Sequence, residues 1–156
     1  MDIFTWLIYL ICVMIIKSDC AVKKIYNKHI VYLFLVCILR GIYVALPYKE
    51  IGIALLINCG LFLVMYLVRQ NSIGAGDVKL AIVFSLWCYY PYCILAIYIS
   101  FFLGLIVAIF NVICLHKKYT EKIPFGPMLI LGNIIAYNFY EQIINFGNKV
   151  VFRCGM

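Results

Sequence analysis

Acidic side chains are scarce in this 156-residue sequence, six in all: Asp2, Asp19, Glu50, Asp77, Glu121 and Glu141. Charged residues of both signs make up only 12% of the chain, against 67% hydrophobic residues and a mean hydropathy of +1.09. A domain of this length could not hide so much apolar surface from water, which excludes an ordinary soluble fold. Proline is scarce too, with four residues, and the apolar runs are long and unbroken. In hydrocarbon every backbone polar group must be paired inside a helix or a closed barrel, and runs of this length favour helices.

Several chemical classes are missing as well. The eight cysteines, at 12, 20, 37, 59, 88, 93, 114 and 154, form no C-x-x-C pair, and no histidine is placed to complete a zinc tetrahedron. They read as small buried apolar side chains in a chain facing a reducing compartment. The absence of H-E-x-x-H excludes that class of zinc peptidase. Ser72 and Lys79, the candidates for a Ser-Lys pair, flank a glycine-rich turn with no supporting pattern. The net charge of +7 falls in short lysine clusters between apolar spans, which points to anionic lipid headgroups and away from nucleic acid.

Reading apolar runs against charges gives six segments, 3–16, 30–47, 51–68, 78–90, 92–115 and 123–146. A span takes about 20 residues, so six with short loops form a single membrane-embedded domain over 1–156. The first run follows Asp2 and lacks a small-residue cleavage site, so it is expected to be a retained span. Nine of the thirteen basic residues fall at the loops after spans 1, 3 and 5: Lys17, Lys23, Lys24, Lys28, Arg69, Lys79, Lys117, Lys118 and Lys122. Lys49, Lys149 and Arg153 lie on the other side, and Arg40 falls inside span 2. Positive charge accumulates on the cytoplasmic side, which places those three loops inside and both termini outside. Trp87, Tyr89, Tyr90 and Tyr92 then form an aromatic belt at the outer interface.

Asp2, Glu50 and Glu141 are expected at the outer edge, and Glu121 among loop lysines. Asp19 and Asp77 differ, since each ends an apolar run too short to cross. The run from Ile3 to Asp19 covers about 24 Å and that from Val78 to Tyr90 about 20 Å, against a hydrocarbon core of about 30 Å. An ionisable group so placed faces the bundle interior or a watery cleft. Two facing carboxylates can share one proton, one acting as base on water while the other donates to a carbonyl. Depth alone leaves open the alternative of interfacial anchors or helix caps. The glycines of Gly74-Ala75-Gly76-Asp77 remove side chains where another backbone must approach and permit unusual dihedrals leading into a helix.

Three segments carry a resemblance. Gly74-Ala75-Gly76-Asp77-Val78-Lys79-Leu80 is similar to the motif around the second catalytic aspartate of type IV prepilin peptidases, bacterial members of the GxGD group of membrane aspartyl proteases. Asp19 is followed after five residues by Ile25-Tyr26-Asn27, resembling that family's aspartate, five residues, then Ile-Pro-Asn. Lys122-Ile123-Pro124-Phe125-Gly126-Pro127 resembles the opening of its last helix. The resemblance covers essentially the whole chain. It implies an all-α integral membrane protein, a bundle of about six transmembrane helices, acting as an aspartic endopeptidase without metal or organic cofactor.

By the same resemblance Asp19 and Asp77 are catalytic, while Gly74, Gly76, Lys79, Pro124, Gly126 and Pro127 shape the site or bind substrate. The implied substrates are prepilins or pseudopilins, cut at the cytoplasmic face of the plasma (inner) membrane. Tyr26 stands where the family usually has proline. The insertion with paired C-x-x-C motifs that larger members carry, associated with N-methylation, is absent from this sequence, which resembles the minimal peptidase-only form. Lys79 either acts on the aspartates, binds a substrate carboxylate or snorkels to an interface. Asn27 caps a helix or orients the loop, Arg40 pairs with a carboxylate or reaches an interface, and His29 and His116 read as interfacial. The rival readings are another GxGD protease, preflagellin or presenilin-like, and a small transporter or assembly subunit whose aspartates bind protons or cations. A transporter would place its acids near the midplane and show paired broken helices, and the sequence shows neither.

Overall fold

The computed structural model describes residues 2–68, 74–113 and 124–154, the side chains of 147–154 excepted. Arg69, Ser72, Cys114, His116, Lys117, Lys118, Glu121, Lys122 and Ile123 lie outside the described residues. Six helices follow one another: α1 Ile3–Val22, α2 Asn27–Val44, α3 Tyr48–Val68, α4 Ala75–Trp87, α5 Tyr92–Ile113 and α6 Gly126–Cys154. Among the described residues there is no strand.

The helices are organised by narrow buried stripes. α1 buries Thr5, Ile8, Cys12, Ile15 and Asp19, and α2 buries Ile30, Leu33, Cys37 and Arg40. Alternating steps of three and four keep each set on one helical face. α3 contributes Ala54, Asn58 and Phe62, and α5 contributes Cys93, Ala96 and Ser100. The outward faces carry bulky apolar side chains, among them Leu10 and Val13 on α1, Leu56 and Leu67 on α3, and Phe102 and Leu105 on α5. Small and polar residues inside with large apolar ones outside suit a lipid solvent, where helix association comes from close packing and interhelical hydrogen bonds. α1, α2, α3 and α5, between 18 and 22 residues long, are each apolar enough to cross a membrane. The chain is an all-α, multi-pass membrane protein.

α4 is different. Its 13 residues reach only about 20 Å, short of the bilayer core. It is walled by α2, α3 and α6 and buries Leu80, Ala81, Val83, Phe84, Ser85 and Trp87. Asn58 Nδ2 donates to Ser85 Oγ at 2.8 Å, tying α3 to α4 by a polar contact within the bundle. This central position corrects the reading of Trp87 as part of an interfacial belt. Trp87 is fully buried and packs on Tyr9, Phe84 and Tyr137, because a helix surrounded by protein has little lipid-facing side to offer. Tyr89 and Tyr92 meet edge to face, and Tyr92 packs on Tyr140.

Helix boundaries also differ from those read off the apolar runs. α1 continues past 16 to Val22, so at about 30 Å it is long enough to span and carries Asp19 on its buried face. α2 starts at Asn27 and α6 at Gly126. The open choice for Arg40 resolves toward a carboxylate. Its Nη2 donates to Tyr137 Oη at 2.6 Å, its guanidinium carbon lies 5.2 Å from the Tyr137 ring centre, and Nε is 4.0 Å from Asp2 Oδ2. Asp2 is thus an ion partner at a distance too long for a hydrogen bond. Four cysteines, at 12, 37, 88 and 93, are buried as expected, while Cys20 is exposed.

At Gly132, α6 lies directly against the backbone of α5. A Cβ on Gly132 would strike the Ser100 hydroxyl and lie 2.7 Å from the Ala96 carbonyl oxygen and 2.8 Å from the Ser100 nitrogen. Backbone atoms cannot yield as a side chain can. Gly132→Ala is therefore expected to destabilise the bundle by about 1–3 kcal/mol. Gly60→Ala, where a methyl meets nothing within 4 Å, should be neutral or slightly stabilising. Unfolding of the two variants in mixed micelles checks this, and equal midpoints would contradict it.

Candidate active site

The C-terminal end of α1 sets the first acid. Lys23 closes the helix in the left-handed conformation (φ 52°), its N–H donating to the Asp19 carbonyl at 2.8 Å. That cap, more often a glycine, turns the chain through Lys24, Ile25 and Tyr26 into α2. Asp19 lies one turn earlier on the buried stripe and is only 4% exposed.

The second acid stands at the opposite kind of helix end. Gly74 is the N-cap of α4, and Asp77, at the third helical position, accepts its N–H through Oδ2 at 3.3 Å. An acid in the first turn satisfies an otherwise unpaired donor and complements the helix dipole. Asp77 is 8% exposed. The two carboxylates are near enough to interact electrostatically and line one cleft of about 490 Å³. Lys23, Lys24, Ile25, Tyr26, Asn27, Gly74, Ala75, Gly76 and Lys79 complete its wall.

Asp19 has capacity to spare. Its Oδ2 is buried close to Gly126 and accepts no hydrogen bond. Buried polar atoms are nearly always satisfied, so this oxygen marks the carboxylate as one whose bonding is left to the cleft. Lys79 has a different partner: its Nζ donates to Asn27 Oδ1 at 3.2 Å, joining the second turn of α4 to the first turn of α2. Asn27 is thus a cross-link between helices, with Tyr26 as the N-cap of α2. Among the described residues no ion pair joins Lys79 to either aspartate, and no group of three His, Cys, Asp or Glu side chains is placed to hold a metal.

The glycines act through space alone. None of those described has a positive φ, so the unusual-dihedral argument for Gly74 and Gly76 does not hold. The groups that stand close to them are side chains of the chain itself, not another backbone. A Cβ on Gly74 would lie 3.2 Å from Asp77 Oδ2, one on Gly76 would lie 3.1 Å from Ile25 Cβ, and one on Gly126 would lie 2.6 Å from Asp19 Oδ2. Pro124 and Phe125 lead irregularly into α6, and Pro127 occupies its first turn, where a missing N–H removes no helical bond. Phe125 anchors this segment against Phe62 and Phe101. Neither proline lines the cleft, and neither does Gly126, which bears on it only by lying against the Asp19 carboxylate and Ile25. Ile25, which opens the Ile25-Tyr26-Asn27 segment, was given no role from the sequence but is a wall residue of the cleft.

Bundled membrane helices that close two buried carboxylates around a single cleft define a two-acid membrane site. Residues 6–109, about two thirds of the chain and inclusive of both aspartates, match the type IV leader peptidase family, and the chain belongs to that family. Among characterised relatives, the prepilin leader peptidase/N-methyltransferase of Legionella pneumophila is 27% identical over 107 residues. That alignment takes in 64% of this chain and 37% of the relative, so the chain spans well under half of that protein's length. No solved structure matches the chain.

Proposed function

We propose that this protein is a membrane aspartyl endopeptidase that removes the leader from type IV prepilins or pseudopilins at the cytoplasmic face of the plasma membrane. Asp19 and Asp77 are its catalytic pair, and it uses no metal or organic cofactor. One observation carries the reading: two acids from the ends of different helices, both buried, line the same cleft. Family membership supports leader peptides as the substrate class. Of the two activities in the relative's name we carry over leader cleavage only. The lysines support the cytoplasmic side, since Lys23, Lys24 and Lys79 line the cleft together with the acids.

The chemistry follows from two carboxylates too close to hold two full charges cheaply, so that they share one proton. The ionised member takes a proton from water as the water oxygen attacks the scissile carbonyl, and the protonated member donates to the carbonyl oxygen. Collapse of the resulting gem-diol returns one proton to a carboxylate. The other carboxyl protonates the departing amine, the C–N bond breaks, and the pair regains its starting state. Gly74 and Gly126 keep the acids uncrowded, Gly76 leaves room for Ile25, Lys79 braces the rim through Asn27, and Pro124 and Pro127 set the path of Gly126.

Co-expression with a prepilin and mass measurement of its N-terminus tests the reading. Asp19→Asn and Asp77→Asn should each lower processing by about 10²–10⁴-fold at normal abundance. Normal processing by either variant would contradict the two-aspartate mechanism. Gly126→Ala should fall in the same direction, because its methyl would displace the Asp19 carboxylate. Wild-type processing by Gly126→Ala would show that the contact has no bearing on the reaction.

A further inference from the structure

We infer that Ile25 is a positioning residue, a wedge in the α1–α2 linker that fixes the spacing between Asp19 and Asp77. The inference rests on the two-aspartate reading and adds to it a residue without chemistry of its own. Ile25 is nearly buried and belongs to the hydrophobic core. A Cβ on Gly76 would meet Ile25 Cβ at 3.1 Å and its Cγ1 and Cδ1 at 3.6 Å. One on Gly126 would meet Ile25 Cδ1 at 3.1 Å. The first turn of α4 and the first residue of α6 therefore press on the same side chain.

Those two backbones are the ones that matter for the pair. Gly76 immediately precedes Asp77, and Gly126 is the residue on which the Asp19 carboxylate rests. The linker that carries Ile25 is itself held at both ends. Its Lys23 N–H is bonded to the Asp19 carbonyl at 2.8 Å, and Asn27 Oδ1 accepts from Lys79 at 3.2 Å, two residues beyond Asp77. A side chain branched at Cβ has one strongly preferred rotamer, so it transmits position where a flexible one would yield. Since neither glycine has a positive φ, what forbids a side chain at 76 is the volume of Ile25 and not backbone strain.

Volume exchange tests this, with kcat and KM measured for the full chain in lipid nanodiscs on a purified prepilin bearing its leader. Ile25→Ala should lower kcat by about 100-fold with KM little changed, the size of loss expected when reacting groups are misplaced by about an ångström. Ile25→Val, which keeps the branch, should retain most of the rate. Gly76→Ala should also lower kcat, and the double variant Ile25→Ala/Gly76→Ala should regain at least about tenfold over Gly76→Ala, the non-additivity of residues in contact. If Ile25→Ala does not accumulate, Gly76→Ala is compared with Gly76→Ala/Ile25→Val, and the smaller side chain should again restore rate. A wild-type kcat in Ile25→Ala, a loss confined to KM, or independent multiplication of the single losses would each overturn the wedge. Asp19→Asn, run alongside, separates the two failures. If it is inactive while Ile25→Ala is fully active, only the wedge falls; if it cleaves at the wild-type rate, the pair falls and the wedge with it.

Discussion

Two carboxylates close together inside an apolar bundle resist both desolvation and each other, and much of this fold can be read as the set of conditions under which they are held there. Removing one ion from water costs several kcal/mol unless a hydrogen bond or a proton offsets it. Asp77 accepts the Gly74 N–H at the head of its own helix, and the Asp19 carboxylate lies against Gly126 at the head of another. α4, 13 residues long and walled by α2, α3 and α6, carries Asp77 on its buried side although its first residue, Ala75, is exposed.

A second buried charge lies on the α2 stripe, far from the acids in sequence. Arg40 is 4% exposed, bonded to Tyr137 and opposite Asp2, so it links α2 to α6 and to the start of α1. Two of its nitrogens, Nε and Nη1, have no hydrogen-bond partner. The bundle is thus clamped by polar contacts at separate levels: Arg40 with Tyr137 and Asp2, Asn58 with Ser85, and Lys79 with Asn27. In lipid, where water-driven burial does not pull helices together, such contacts and close glycine packing have a larger share in specifying which helices meet.

Scarcity made the acids legible. With six in the chain, each could be weighed, and local motif chemistry picked out the two that share the cleft. Helix ends were less legible, because Lys17 looks like the edge of an apolar run while the helix continues. The signal present in the sequence was the stripe at 5, 8, 12 and 15, whose next step falls on Asp19. Trp87 could not be placed from its neighbours, since Tyr9 and Tyr137, which bury it, arrive from α1 and α6. The glycines were read as places where another backbone approaches, whereas side chains of Asp77 and Ile25 stand beside Gly74 and Gly76, a matter of three-dimensional packing. Ile25 illustrates the same limit: nothing local tells that one linker side chain touches the first turns of two other helices.

In the proposed mechanism Asp19 and Asp77 act as one unit. Single-turnover cleavage of one prepilin by Asp19→Asn, Asp77→Asn and the double variant measures that directly. Residues that work as a unit lose their contribution together, so the double variant should be no slower than the slower single variant. A double variant whose loss equals the product of the two single losses would show the acids acting independently, and would contradict the shared cleft as the seat of the chemistry.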